Sequence, residues 1–297
     1  MTAVDTVRRR QPAVVTAAGP QARRSVFERR WWVYVLLTLG LLITVVPFVW
    51  MLLGSLKTQS ELVQVPPTWL PADPTFSNYS RMWNRLEFPR FFLNSAVIAG
   101  AITVANLVFT SMVGYALAKL RFAGRDQLFL LVMGTLLVPT SVTMVPLFVL
   151  ITKLGLLDTY WAVILPSAAA PVGVFLMRQF MLSIPDDLIE AGRVDGASEW
   201  FIFWRIVMPL SVPALAANAI ITFLPAWNAL LWPLIVLQSQ DKYTLPVALA
   251  IFAKGQFQAD YGLLMAGSVV LVVPVIGLFL LLQKRFTQSV AMTGIKG

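Results

Sequence analysis

Apolar positions fall into six long runs separated by short polar stretches: residues 31–53, 91–118, 127–151, 160–180, 206–237 and 262–282. At 1.5 Å per residue, about 20 apolar residues carry a helix across the roughly 30 Å hydrocarbon layer, so each run predicts a membrane span. The fifth is too long for one straight helix and holds Pro209, Pro213, Pro225 and Pro233. It reads as a span over about 210–231, followed by a proline-broken piece that re-enters or caps an outer cavity. Backbone freed near Pro225 must line a cavity or pack on protein, because lipid offers it no hydrogen-bond partner. Residues 1–30 carry seven arginines and no apolar period, which predicts a disordered cytoplasmic tail. The run at 31–53 exceeds the roughly 7–15 residues of a signal-peptide core and no small-x-small cleavage site follows it, so it is expected to stay in the membrane. The predicted fold class is an all-α membrane protein with six transmembrane helices.

Composition supports lipid as the solvent. Of the 297 residues, 58% are hydrophobic and 12% charged, against about a quarter charged in soluble domains; mean hydropathy is +0.76. There is no cysteine and no histidine. Disulfides, thiolate nucleophiles and Cys- or His-based metal sites are thereby excluded, and with them the commonest general base. The net charge of +9 is a topology signal. With the N-terminus inside, 16 of the 23 Lys and Arg residues lie in inner segments, including Lys119, Arg121, Arg125, Arg178, Arg193 and Arg205. That bias predicts both termini in the cytoplasm and contact with anionic lipid, with no nucleic-acid partner.

The chemistry concentrates in the inner loop at about 183–205. Ser183, Pro185 and the Asp186–Asp187 pair predict a helix start, with a cap, a preset φ and two carboxylates on the positive dipole end. The helix is expected to run to about Asp195 and break at Gly196. Trp200, Phe201, Phe203 and Trp204 then lead back to the membrane interface. A compact helical knob of this kind suits a groove on a soluble partner. A solvated loop whose acids merely cap a helix is the plain alternative.

Glu190-Ala191-Gly192, then Gly196, then nine residues, then Ile206, one residue, Met208 and Pro209 resembles the EAA loop of ABC-importer permeases. That family's pattern is Glu-Ala-Ala, three residues, Gly, nine residues, Ile, one residue, Leu-Pro. Gly192 stands where Ala is usual and Met208 where Leu is usual. The resemblance implies the type I importer permease fold and a coupling helix seated in a cleft of a separate nucleotide-binding subunit. Asp187, Glu190, Ala191, Gly192, Asp195, Gly196, Ile206 and Pro209 would form it, with Glu190 paired to a basic residue of that subunit.

Further stretches resemble the carbohydrate branch of the family, especially its maltose-type second permease: Phe76-Ser-Asn78-Tyr79, Phe92-Leu-Asn94-Ser95, Gly114-Tyr115-Ala116-Leu117-Ala118, Ala226-Trp227-Asn228 and Thr244-Leu245-Pro246-Val247. Two contacts follow from the resemblance. The outer loop around Lys254, Gly255, Gln256 and Phe257 would meet a solute-binding protein, and the tail at Lys296 and Gly297 would touch the ATPases. Sugars need hydroxyl partners and a flat apolar face, so Asn218, Trp227 and Asn228 are candidates for the path. Asn106 and Thr110 read better as hydrogen bonds between helices.

The expected organisation is a tail at 1–30, a permease domain at 31–285 and a tail at 286–297, in a multi-pass protein of a bacterial or archaeal cytoplasmic membrane. The chain has no Gly-x-x-x-x-Gly-Lys-Ser/Thr segment. No cofactor is expected in it; two partner ATPase subunits would bind ATP and magnesium, and a homologous second permease would complete the path. The competing readings are a secondary transporter, a carboxylate enzyme at the membrane border, and an importer of a non-sugar solute such as glycerol phosphate.

Overall fold

The computed structural model describes residues 31–85, 87–253 and 259–293. The expected tail at 1–30, residues 294–297 of the tail expected at 286–297, and the loop at 254–258 lie outside those residues; residues 286–293 continue the last helix. The chain divides into two units, Met1–Trp50 and Met51–Gly297. In the first, the described residues form one apolar helix, α1 (Trp31–Ser55), whose last turn belongs to the second unit.

The second unit is helical throughout, with no β-strand among the described residues. In chain order it comprises α2 (Gln59–Leu62), α3 (Ser77–Arg85), α4 (Phe88–Lys119), α5 (Arg125–Gly134), α6 (Thr140–Lys153), α7 (Trp161–Ile164) and α8 (Pro171–Leu182). Then follow α9 (Asp186–Val194), α10 (Glu199–Ile202), α11 (Met208–Leu210), α12 (Val212–Trp227), α13 (Leu231–Val236), α14 (Leu245–Phe252) and α15 (Tyr261–Thr293). Among the described residues three helices (α1, α4 and α15) are long and apolar enough to cross a membrane, and three bent pairs bring the number of crossing segments to as many as six.

The spans expected at 127–151 and 160–180 are two of those bent pairs. The first run breaks at Val138–Pro139, where α5 with its 3-10 extension to Leu137 meets α6 at 100°. Proline lacks the N–H that would continue the helix, and it forces the preceding residue into extended backbone; Val138 has ψ of 115°. Ala170 before Pro171 behaves likewise, with ψ of 134°, and bends α7 against α8 by 41°. The fifth run is also repositioned. Its candidate crossing segment is Glu199–Leu210 together with α12, and α12 passes through Pro225 and ends at Trp227, so the next break falls at 228–230 and not at the proline.

The second unit is built around α4, 32 residues and about 48 Å long at 1.5 Å per residue. It packs against α8 and α12. The approach to α8 is close at Gly114, where an added Cβ would sit 2.8 Å from the Met177 Cβ and 3.0 Å from the Arg178 backbone N. At one end of the bundle, Met177, Met181, Ile189, Ile202, Phe203 and Val207 form an apolar core beneath α9. At the other end Phe88, Phe91, Leu245, Leu249 and Leu263 form a second. There Arg81 grips the Asp260 carboxylate with two nitrogens at 2.7 and 3.3 Å. The buried Asn78 donates to the Ser55 and Lys57 carbonyls.

Candidate functional site

The knob expected between the fourth and fifth runs is α9 and α10, joined by Asp195-Gly196-Ala197. Asp186 and Asp187 occupy the first turn of α9, where the helix dipole favours carboxylates. Ser183 is not the cap expected of it; its hydroxyl donates back to the Phe180 carbonyl at 2.7 Å, and Pro185 takes the cap position without a side-chain bond. The helix stops where Gly196 turns to φ of +80°, a conformation open to glycine at little cost. The Ala197 N–H then closes onto the Gly192 carbonyl and that of Gly196 onto Arg193. Ser198 caps α10 by accepting from the Phe201 N–H.

The two faces of α9 differ sharply. Ile189 and Gly192 are buried, and a Cβ on Gly192 would lie 3.2 Å from Ile206 Cδ1 and 3.3 Å from Ile202 Cγ1. Asp187, Glu190, Ala191, Val194, Asp195 and Gly196 are exposed. The spacing 187, 190, 191, 194 places one turn-to-turn stripe on the open side. Among the described residues Asp187, Glu190 and Asp195 form no salt bridge. Ile206 lies in a π-helical turn, Phe203–Val207, whose bond runs from the Met208 N–H to the Phe203 carbonyl. Pro209 follows and removes one more donor, and Ser211 donates to the Val207 carbonyl through both its backbone N–H and its hydroxyl. The chain turns there by 79° into α12.

Ionic ties hold the knob. Lys119, the last residue of α4, has a side chain only 4% exposed and meets the Asp186 carboxylate at 2.5 Å and the Ile184 carbonyl at 2.6 Å. The Lys119 ammonium holds the Asp186 carboxyl below its ordinary pKa. Arg193 Nε donates to Glu199 Oε1 at 2.7 Å, and the Tyr115 hydroxyl donates to Glu199 Oε2 at 2.6 Å. Lys119, Arg121, Arg125 and Arg193, with Asp186 and Glu190, line a small cleft of about 70 Å³ beside α9.

The path candidates separate. Asn218, 1% exposed, donates to Thr110 Oγ1 at 3.0 Å and reaches Asn106 Oδ1 at 3.5 Å. Thr222 donates to the same Asn106 oxygen at 3.3 Å. This cluster closes over Gly173 of α8, where a Cβ would lie within 3 Å of all three of Asn106, Thr110 and Asn218. Trp227 is also 1% exposed, stacks on Phe223, meets Phe92 edge-on and donates its indole N–H to the Leu271 carbonyl. Asn228, by contrast, is exposed at the end of α12, with its amide on the Leu224 carbonyl. Lys254, Gly255, Gln256 and Phe257, and Lys296 and Gly297, lie outside the described residues. Tyr115, Lys119, Arg193 and Glu199 were missed as a set: each is visible in the sequence, but the partners lie as far as 84 residues apart.

Residues 110–291 match the family described as "Binding-protein-dependent transport system inner membrane component". Among similar proteins, the arabinooligosaccharides transport system permease protein AraQ of Halalkalibacterium halodurans is 41% identical over 269 residues, covering 88% of this chain and 96% of the relative. The lactose transport system permease protein LacG of Rhizobium radiobacter is 34% identical, covering 86% and 93%. A solved bacterial ABC transporter involved in the import of the acidic polysaccharide alginate superimposes with a TM-score of 0.76 at 25% identity, over 92% of this chain and 100% of that one. The match takes in the last turns of α4 from residue 110, the bent helices behind it and the whole of the α9 knob, and the chain belongs to this family of inner-membrane permease components of ABC importers.

Proposed function

We propose that this chain is the permease subunit of a sugar importer, pairing with a homologous second permease around one path and driven by two separate ATP-binding subunits. The observation that carries the reading is α9. It presents Asp187, Glu190, Ala191 and Val194 on an open stripe, while Gly192 and Ile189 anchor its other face. A soluble ATPase groove receiving that stripe would meet a helix that cannot swing freely. The names of the relatives, transporters of arabinooligosaccharides and of lactose, support a sugar as the solute.

In this reading α9 faces the cytoplasm, consistent with 16 basic residues on that side, and both termini lie there too. ATP and magnesium belong to the partner subunits, and this chain contributes no catalytic group. Glu190 pairs with a basic residue of the ATPase, and the tail at Lys296 and Gly297 adds a second contact. On the outer face, a binding protein meets the loop carrying Lys254, Gly255, Gln256 and Phe257. The roots of that loop are firm: the Asp260 N–H bonds the Ala253 carbonyl at 2.8 Å, and Gln59 donates to the Ala259 carbonyl at 2.8 Å. Asn228 is the candidate to touch the sugar. Asn218 and Trp227 act behind it, holding α12 in place.

Co-purification of the tagged chain from its native membrane tests the assembly. The expected companions are a second permease, two ATPase copies and a binding protein. Glu190→Lys should release the ATPase subunits or abolish uptake; a variant that keeps both unchanged would remove α9 from the coupling role.

A further inference from the structure

The ionic ties beneath α9 share a pattern that packing does not require. Lys119 holds the first turn of α9, through Asp186 and the Ile184 carbonyl. Tyr115 holds its last turn, through Glu199 and Arg193. Tyr115 and Lys119 are four residues apart on α4 and so lie on one face, one turn from each other. Tyr115 is buried at 5% exposure with its ring 5.4 Å from Phe203, and the Lys119 side chain is 4% exposed. A single helix end therefore grips both ends of a nine-residue helix about 13 Å long.

We propose that Tyr115 and Lys119 are positioning residues for energy coupling, forming a two-point grip that makes α9 and α4 move as one body. The proposal rests on α9 being the ATPase-docking helix. Mechanics favour the grip over the apolar contact alone. Gly192 rests on the flexible ends of Ile202 and Ile206, in an apolar core shared with Ile189, a surface that can slide. Charge-assisted hydrogen bonds are short and directional, and two of them at opposite ends resist tilt as well as translation. The covalent route from α9 leads only to α8 and, through a π turn and a 79° bend, to α12. The grip adds α4, which is joined to α12 through Asn106, Thr110 and Asn218. Near its far end, Asn94 of α4 donates to the Asp241 and Tyr243 carbonyls. A displacement received by α9 thus reaches the opposite face through one continuous helix.

This chain has no cysteine of its own, so once accessible cysteines of the partner subunits are replaced, labels attach only where they are introduced. Spin labels at Leu188→Cys, on the side of α9, and Val104→Cys, on α4, are placed in the full complex with its ATPase subunits. The label-to-label distance is then read by pulsed EPR with no nucleotide and after trapping with ATP and vanadate. In the otherwise unaltered complex the distance should stay the same in both states. With Tyr115→Phe and Lys119→Met added, trapping should shift it by more than about 2 Å, the scale of helix displacements in switching proteins. A shift already present without those substitutions, or none with them, overturns the grip. Should the double variant fail to assemble, Tyr115→Phe alone, which removes one oxygen atom, is read by the same criterion. Retention of the ATPase subunits by the labelled complex and their release by Glu190→Lys test the docking reading separately.

Discussion

Gly114 offers the sharpest test of the packing that places α4 under the knob. In Gly114→Ala the new methyl would lie 2.8 Å from the Met177 Cβ, 3.0 Å from the Arg178 N and 3.2 Å from the Met177 carbonyl carbon. Carbon pairs are at ease near 3.5–4.0 Å, so α4 and α8 must separate by about 0.7 Å. Two of the three obstacles are main chain and the third is a Cβ, so no rotamer change relieves the clash. Overpacking of this sort costs about 1–3 kcal/mol, and the fixed obstacles put this site toward the upper end. Alanine's better helix propensity offsets about 1 kcal/mol. The net expectation is a loss of about 1–2 kcal/mol. Gly100, on the same helix, has nothing within 4 Å of its virtual Cβ, so Gly100→Ala should gain about 0.5–1 kcal/mol. Thermal unfolding of the two variants in one detergent, read by tryptophan fluorescence, should place Gly114→Ala below the parent and Gly100→Ala at or above it. Equal midpoints for the two would refute the close approach and with it the seating of α8 on α4.

Two further outcomes are expected. Asn218→Ala should lower stability by about 0.6–1.7 kcal/mol, the range of hydrogen bonds between membrane helices, whereas Asn228→Ala should leave the unfolding midpoint unchanged and lower sugar-stimulated uptake; the reverse pattern would exchange their roles. At the opposite end of the bundle, burial pushes the Asp158 carboxyl up, but Lys242, the Ser239 hydroxyl and the Ser239 and Gln238 N–H groups outweigh it and hold it well below the carboxylate range. A depressed folded pKa stabilises above the unfolded value, about 3.9, and the benefit is lost as pH falls toward the folded one. The stability gap between the parent and Asp158→Asn should therefore be constant from neutral pH to about 4 and close below it; a gap that closes at higher pH would contradict the tie.

Much of the fold was legible because lipid imposes a length rule and the apolar runs obey it. The knob was legible for a different reason: Pro185, the aspartate pair and Gly196 each restrict the backbone locally, and local restrictions can be read without a partner. What escaped was set by contacts distant in sequence. Nothing near residue 138 says that the bend should be 100°, since a proline in a span can also sit in a continuing helix, as Pro146, Pro225 and Pro274 do. Ser183 looked like a cap because Ser, Pro and Asp stand in the usual order. Its hydroxyl had a carbonyl of the preceding turn within reach and took that instead. The separation of Asn218 from Asn228 was equally hidden. Both are asparagines on one helix, and only the neighbouring α4 and α8 decide which one is enclosed.

The buried amides of the polar cluster carry a consequence for biogenesis. Asn106 is synthesised 112 residues before Asn218, its partner across the bundle. At about 5–20 residues per second, α4 enters the membrane roughly 6–22 s before α12 exists. For that interval the Asn106 Oδ1 lacks its native donors, Asn218 and Thr222, and an unsatisfied polar group in hydrocarbon costs several kcal/mol. The helix must therefore wait near the insertion machinery, near water or at a headgroup. Release of α4 into lipid is thus coupled to completion of α12, and the cluster that later holds the bundle together also times its assembly.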